Sequence, residues 1–148
     1  MKVETSIEIA AKPAEVWAVI TDFENSAKTI QAIEKIEVLD KPKSGLVGFK
    51  WRETRKMFGK EATEVMWITE VEDGASYTTR AESHGSVYIS GLRVVAEGDQ
   101  SRLTMSFEGL PQSFGAKVMS VLMGAMMKSS VVKAFRADLA DIKAAVEQ

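Results

Sequence analysis

The sequence predicts an α+β fold: a curved seven-stranded antiparallel sheet wrapped around a long C-terminal helix, with two short helices after the first strand. Three features carry that reading. Short segments of strand character follow one another from Ile33 to Glu108, with turn residues between them at regular spacing. A proline-free stretch from Gln112 onward repeats its apolar residues at helical spacing. Two short helical segments, an unusual insertion, separate the first strand from the remaining six.

In the first strand, read over residues 3–11, Val3, Ile7 and Ile9 share one face and Glu4, Ser6 and Glu8 the other. That alternation marks a half-buried strand. Pro13 has no N–H to lose in the first turn of a helix, so it opens one through Ile20. Val16, Val19 and Ile20 share its inner face, and Trp17 flanks it. Asp22 suits the N-cap of a second short helix reaching Lys28.

The six later strands are expected over residues 33–39, 47–57, 62–71, 76–83, 86–96 and 102–108. Asp40 to Gly45, Phe58-Gly59-Lys60, Glu72-Asp73-Gly74, His84-Gly85 and Glu97 to Gln100 turn the chain between them, the punctuation of an antiparallel meander. Gly109-Leu110-Pro111 closes the sheet. In the final helix the apolar positions are Val118, Val121, Leu122, Ala125, Met126, Val132, Phe135, Leu139, Ile142 and Val146. A helix of about 33 residues is about 50 Å long, and Gly124 or Ser129-Ser130 is where it should bend. So long an apolar side needs a broad partner, which a curved sheet supplies.

Composition bounds the function. With 148 residues, 45% of them hydrophobic, the chain forms one domain over 1–148 with a core that needs no staples. Nineteen basic against 21 acidic residues argue against nucleic acid as a partner, and no basic stripe is interleaved with aromatics. No Cys and a single His remove thiol chemistry and make a Cys- or His-based metal site untenable. No phosphate-binding glycine motif is present, and no cofactor is expected. No run is apolar enough to span a membrane and no secretory leader is legible, so the expected location is cytoplasmic.

The element order, together with Ile9-Ala10-Ala11-Lys12-Pro13-Ala14-Glu15-Val16-Trp17, Thr21-Asp22-Phe23 and Gly48-Phe49-Lys50-Trp51-Arg52-Glu53-Thr54-Arg55, resembles the helix-grip fold of the START-like, Bet v 1-like (SRPBCC) superfamily. Within it the chain is similar to bacterial polyketide cyclase/dehydrase-type proteins. The resemblance covers nearly the whole chain and implies a scaffold more than a reaction. The glycine-rich loop of the plant members is not matched.

A long helix on a curved sheet leaves a gap that becomes a ligand cavity unless large side chains fill it. On the third strand Val47, Phe49, Trp51, Glu53, Arg55 and Met57 share a face, taken as concave for its bulky apolar members. Glu53 and Arg55 on that face either anchor a ligand's carbonyl, hydroxyl or carboxylate, or form an ion pair where the sheet flares into water. On the fourth strand both faces carry apolar residues; Val65, Trp67 and Thr69 are taken as inward. Tyr77, Thr79 and Ala81 share a face of the fifth, and Leu103, Met105 and Phe107 form the inward face of the seventh. Arg80 and Arg93 are either anion ligands or solvated charges, and Tyr77 and Tyr88 either ligand donors or locally satisfied hydroxyls. His84, at a turn, has no orienting neighbour and is not a candidate catalyst. Met119, Met123, Met126 and Met127 form a pliable cavity wall that also gates entry, a homodimer surface, or core filler.

The expected function is binding of a lipid-like or polycyclic small molecule between sheet and helix. Its expected ligand-binding residues are Phe49, Trp51, Glu53, Arg55, Trp67, Tyr77, Met105, Phe107, Leu122 and Met126. The alternatives are a cyclase, dehydratase or hydrolase using Glu53 or a Tyr as acid/base, and a protein-interaction module built on the Met-rich helix face.

Overall fold

Seven strands form one antiparallel sheet in the computed structural model, which describes residues 1–57 and 59–148 and, within them, every side chain except that of Ala125. Phe58, read as a turn residue, and the stripe position Ala125 therefore lie outside this description. The strands are β1 (Lys2–Ile9), β2 (Ile33–Asp40), β3 (Lys50–Met57), β4 (Lys60–Glu72), β5 (Ser76–Ser83), β6 (Ser86–Glu97) and β7 (Gln100–Pro111). Their order is β1-β7-β6-β5-β4-β3-β2. The two sheet edges are thus consecutive in sequence, and the chain crosses between them through α1 (Pro13–Ile20), a 3₁₀ turn (Phe23–Asn25) and α2 (Ser26–Thr29). The 33-residue α3 (Phe114–Val146) follows β7.

Each connecting element has a local cause. Glu15, in the first turn of α1, accepts a hydrogen bond from the Lys12 backbone N–H at 3.2 Å, which satisfies an otherwise unpaired donor. Asp22 does precede the next helical turn. Its carboxylate, however, takes the Asn25 side-chain amide at 2.9 Å, and the turn is 3₁₀ before it becomes α2, a correction to the single helix expected there. The β5–β6 turn holds His84 at φ 50° and Gly85 at φ 76°, the left-handed pair of a tight hairpin. That turn seats α3: the Gly85 carbonyl accepts from the N–H groups of Gln112 and Ser113. The Ser113 Oγ then accepts from Ala116 N–H at 3.1 Å as the N-cap.

Further anchors lie at the C-terminal end of α3. Asp141 accepts the Gln31 N–H at 2.9 Å, Lys143 Nζ donates to the Glu8 carbonyl, and Glu147 accepts the Ala10 N–H. Leu139 and Ile142 join Ile9, Val16, Ile20, Trp51, Leu92, Val94, Leu103 and Met105 in one buried core. Toward its N-terminus the helix leaves that core. The axes of Phe114–Gly124 and Met126–Val146 differ by 77°, a bend in the region of Gly124. Among the described residues no single helix is long and apolar enough to cross a membrane.

Three expectations about faces are corrected. Val47 is 56% exposed, because β3 begins only at Lys50. On β4 the inward residues are Ala62, Glu64, Met66 and Ile68, not Val65, Trp67 and Thr69. A bulge between Ile68 and Glu70 places an extra residue there and returns Val71 to the core side, so unbroken alternation in sequence groups it with the outward Val65 and Trp67. The methionines of α3 are not core filler: Met119, Met123, Met126 and Met127 are 38–74% exposed.

Candidate functional site

Between the concave face and the last turns of α3 lies a cavity of about 270 Å³. Its floor is aromatic. Phe23 stacks on Trp51 with ring centroids 4.9 Å apart and meets Tyr77 edge-on at 5.2 Å. Ile20, Leu92, Met105, Phe107, Phe135 and Ile142 supply most of the remaining apolar wall. Half-buried side chains of Thr29, Ile30, Met57, Ala62 and Glu64 line it toward the β3–β4 turn.

The polar groups converge on one side. Trp51 Nε1 donates to Glu53 Oε1 at 3.2 Å, and Arg55 Nε donates to Glu53 Oε2 at 2.9 Å. Both Glu53 oxygens are therefore engaged. Arg55 Nη1 reaches across to Asp138 Oδ2 on α3 at 3.0 Å. Asp138 is 3% exposed, and its buried Oδ1 has no partner among the described residues. Glu64 stands directly opposite Glu53 in the β3–β4 register and also lines the cavity. Three carboxylates thus share the lining with one guanidinium, Arg55.

That imbalance sets the titration. Burial raises the Asp138 carboxyl above its ordinary 3.8; Arg55 pulls it back only in part, and Glu53 and Asp141 add to the rise. Burial works against the Arg55 cation, but Glu53 and Asp138 outweigh it and hold the guanidinium above its ordinary range. The Tyr77 hydroxyl is pushed upward by burial and then by Glu53, so it stays a neutral phenol. It donates to the Ile20 carbonyl at 3.4 Å, a long bond that satisfies it locally.

Of the ten residues expected to bind ligand, six line this cavity: Trp51, Glu53, Arg55, Tyr77, Met105 and Phe107. Phe49 is 5% exposed but packs behind the lining against Phe23 and Trp51. Trp67 faces the other side of the sheet, where Lys50 Nζ sits 5.6 Å from its ring centroid. Leu122 and Met126 are 71% and 74% exposed, away from the lining, because the first half of α3 leaves the core. Arg80 pairs with Glu82 on the surface and Arg93 is exposed, so neither enters the cavity. Tyr88 stacks on Phe107, and His84 is exposed at its turn.

Sequence reasoning missed Phe23 and Asp138. Asp138 carries a legible signal: it falls three residues after Phe135 and four before Ile142, a charge on the helix's apolar stripe. Phe23 sits in too short a segment for periodicity to assign a face.

The family model for polyketide cyclase / dehydrase and lipid transport matches residues 1–147. No curated protein matches the chain. Among solved structures, the Zhui aromatase/cyclase from Streptomyces sp. R1128 is similar at a TM-score of 0.83 and 16% identity, covering 99% of this chain and 93% of that one. A START superfamily protein from Mycobacterium smegmatis gives 0.81 and 16%, covering 99% and 97%. A protein from Thermus thermophilus gives the same TM-score and identity with the same coverage of each chain. At such identities the likeness is one of fold, the helix-grip architecture of START-like proteins.

Proposed function

The chain belongs to the polyketide cyclase / dehydrase and lipid transport family, and from that premise we propose that it binds a compact hydrophobic molecule whose polar end donates hydrogen bonds. A hydroxylated polycycle is the class that fits. The observation that carries this reading is Asp138, a buried carboxylate on a residue that lines the cavity, whose Oδ1 is closed off from solvent and has no partner among the described residues. Leaving such a group unpaired is costly, so a rotation of the Asp138 carboxylate that presents Oδ1 to a ligand hydroxyl gains a charge-assisted hydrogen bond.

Two further features narrow the ligand. About 270 Å³ lies just below the usual range of small-molecule pockets, roughly 300–1,000 Å³, which favours two or three fused rings over long acyl chains. An excess of carboxylates in the lining disfavours an anionic ligand, so of the carbonyl, hydroxyl or carboxylate expected to anchor at Glu53 and Arg55, the hydroxyl is favoured. Apolar burial against Phe23, Trp51 and Phe107 supplies most of the affinity, at about 25 cal/mol per Å².

The test is a titration followed by tryptophan emission, using a dihydroxyanthraquinone, unsubstituted anthraquinone and an anthraquinone carboxylic acid. The dihydroxy compound should bind at least about tenfold more tightly than the other two, as one hydrogen bond to a charged acceptor implies. Asp138→Asn should shrink that advantage. Tightest binding of the carboxylic acid would refute the reading.

One observation favours a second reading, an enzyme acting on a polyketide-like substrate. A buried carboxyl with raised affinity for its proton is the group a general acid requires. Asp138 suits the role better than Glu53, whose oxygens are both occupied. Turnover of a linear poly-β-ketone that is lost in Asp138→Asn while binding persists would support this reading over simple carriage.

A further inference from the structure

The first half of α3 is built inside out. Ala116, Ser120 and Gly124, spaced four apart, are its half-buried seam. The large apolar residues point the other way: Phe114 and Val121 are 84% exposed, Leu122 71% and Met126 74%. At 100° per residue the exposed apolar positions before the bend, from Val121 round to Met123, wrap about 200°, more than half of the helix circumference. A groove on a partner protein covers one stripe of a helix; a fluid apolar phase covers all sides of it.

Charge points to the same occupant. Between Glu108 and Asp138 the sequence has no acidic residue, yet it has Lys117, Lys128, Lys133 and Arg136, all exposed. The rest of the chain holds all 21 acidic residues against 15 of the 19 basic ones. A cationic, apolar segment therefore projects from an anionic body. A two-fold pairing of this face with a second copy would oppose like charges with no carboxylate between them.

We infer that residues 114–128 dock the protein on an anionic lipid bilayer, with Val121, Leu122 and Met126 in the acyl boundary and Lys117 and Lys128 at the headgroups. Docking there would bring the cavity to its lipid phase. In the antiparallel sheet the β3–β4 turn, which the half-buried part of the lining approaches, lies at the same end as the start of α3. The inference does not depend on which ligand the cavity takes.

The test is co-sedimentation with vesicles of phosphatidylcholine alone and of phosphatidylcholine containing about a quarter phosphatidylserine, at low and high salt. The wild-type protein should pellet with the anionic vesicles at least about tenfold more strongly than with the neutral ones, and salt should erase the difference. Val121→Glu with Leu122→Glu should stay in the supernatant with an unchanged far-ultraviolet circular dichroism spectrum. Lys117→Glu with Lys128→Glu alters no apolar side chain; it should lose the preference for phosphatidylserine and decides the matter if the first pair misfolds. Equal sedimentation with both vesicle types, or none at low salt, overturns the inference. So does a dimer in light scattering that the glutamate pair splits while vesicles bind nothing.

Discussion

Arg55 on β3 and Asp138 on α3, 83 residues apart in sequence, meet at 3.0 Å inside the cavity, and Glu53 closes on the same guanidinium at 2.9 Å. This triad ties helix to sheet through one cation shared by two carboxylates. Its stability consequence is asymmetric. Arg55→Met leaves two buried carboxylates without their cation and should destabilise the protein by about 3–5 kcal/mol in urea unfolding. Changing Arg55, Glu53 and Asp138 together to Met, Gln and Asn should recover most of that loss, because no charge then stays buried and unpaired. A triple variant no more stable than Arg55→Met would show that packing, not charge, sets the cost.

The Asp138 shift has a sign that can be measured. Its folded-state value lies above the ordinary 3.8, so between the two values the native protein holds more proton than the unfolded chain. Stability from this group is fully present below 3.8 and is lost as pH rises through the folded value. Unfolding free energy of wild type minus that of Asp138→Asn should therefore fall with rising pH across this window. Glu37, held low by Lys35 and Arg52, and Glu147, held low by Ala10 and Lys143, act in the opposite sense: their stabilisation disappears as pH drops. Because both remain in the Asn variant, the difference isolates Asp138. Affinity for a hydroxylated ligand should increase over the same window, as the acceptor ionises.

Much of this architecture was legible because its signals are local. Pro13 opened α1, His84-Gly85 turned the hairpin, and the stripe Phe135, Leu139, Ile142 and Val146 marked the buried half of α3. The errors arose where one local rule was interrupted. On β4, period-two counting crossed the bulge at Ile68/Glu70 and so grouped Val71, which the bulge returns to the core side, with the outward Val65 and Trp67. On α3, helical spacing identified Leu122 and Met126 as apolar without saying whether anything covers them; the 77° bend turns the segment that holds Leu122 off the axis of the packed one, and Met126 stands exposed just beyond it. The triad was half legible. Glu53 and Arg55 stood out on a strand face, but their partner Asp138 is brought to them only by the packing of α3.

The reassigned faces predict a contrast between two tryptophans. Trp51 is 5% exposed, stacks on Phe23 and donates to Glu53, so Trp51→Leu removes cavity wall and frees a carboxylate oxygen. Affinity for a polycyclic ligand should drop at least about tenfold, the equivalent of one lost aromatic contact. Trp67→Leu changes a ring that lies under Lys50 on the opposite face and should leave affinity unchanged. Isothermal titration with the same ligand reads both. A larger effect at Trp67 would restore the original assignment of β4.

Gly85 couples backbone conformation to the capping of α3. An alanine there meets the ordinary penalty of a left-handed φ of 76°, about 1 kcal/mol. It also meets Ser113, since a Cβ would stand 2.5 Å from the Ser113 Oγ. The hydroxyl can rotate away, but it is the group that accepts the Ala116 N–H, so relief of the clash costs about 1 kcal/mol of helix cap. Gly98 provides the control: its φ is 61° and nothing lies within 4 Å of an added Cβ. Gly85→Ala should therefore lower the unfolding free energy about twice as much as Gly98→Ala. In a Ser113→Ala background, where the cap is already absent, the two substitutions should cost nearly the same. If Gly85→Ala keeps its larger effect in that background, the excess comes from the Ser113 Cβ or the neighbouring backbone and the capping account is wrong.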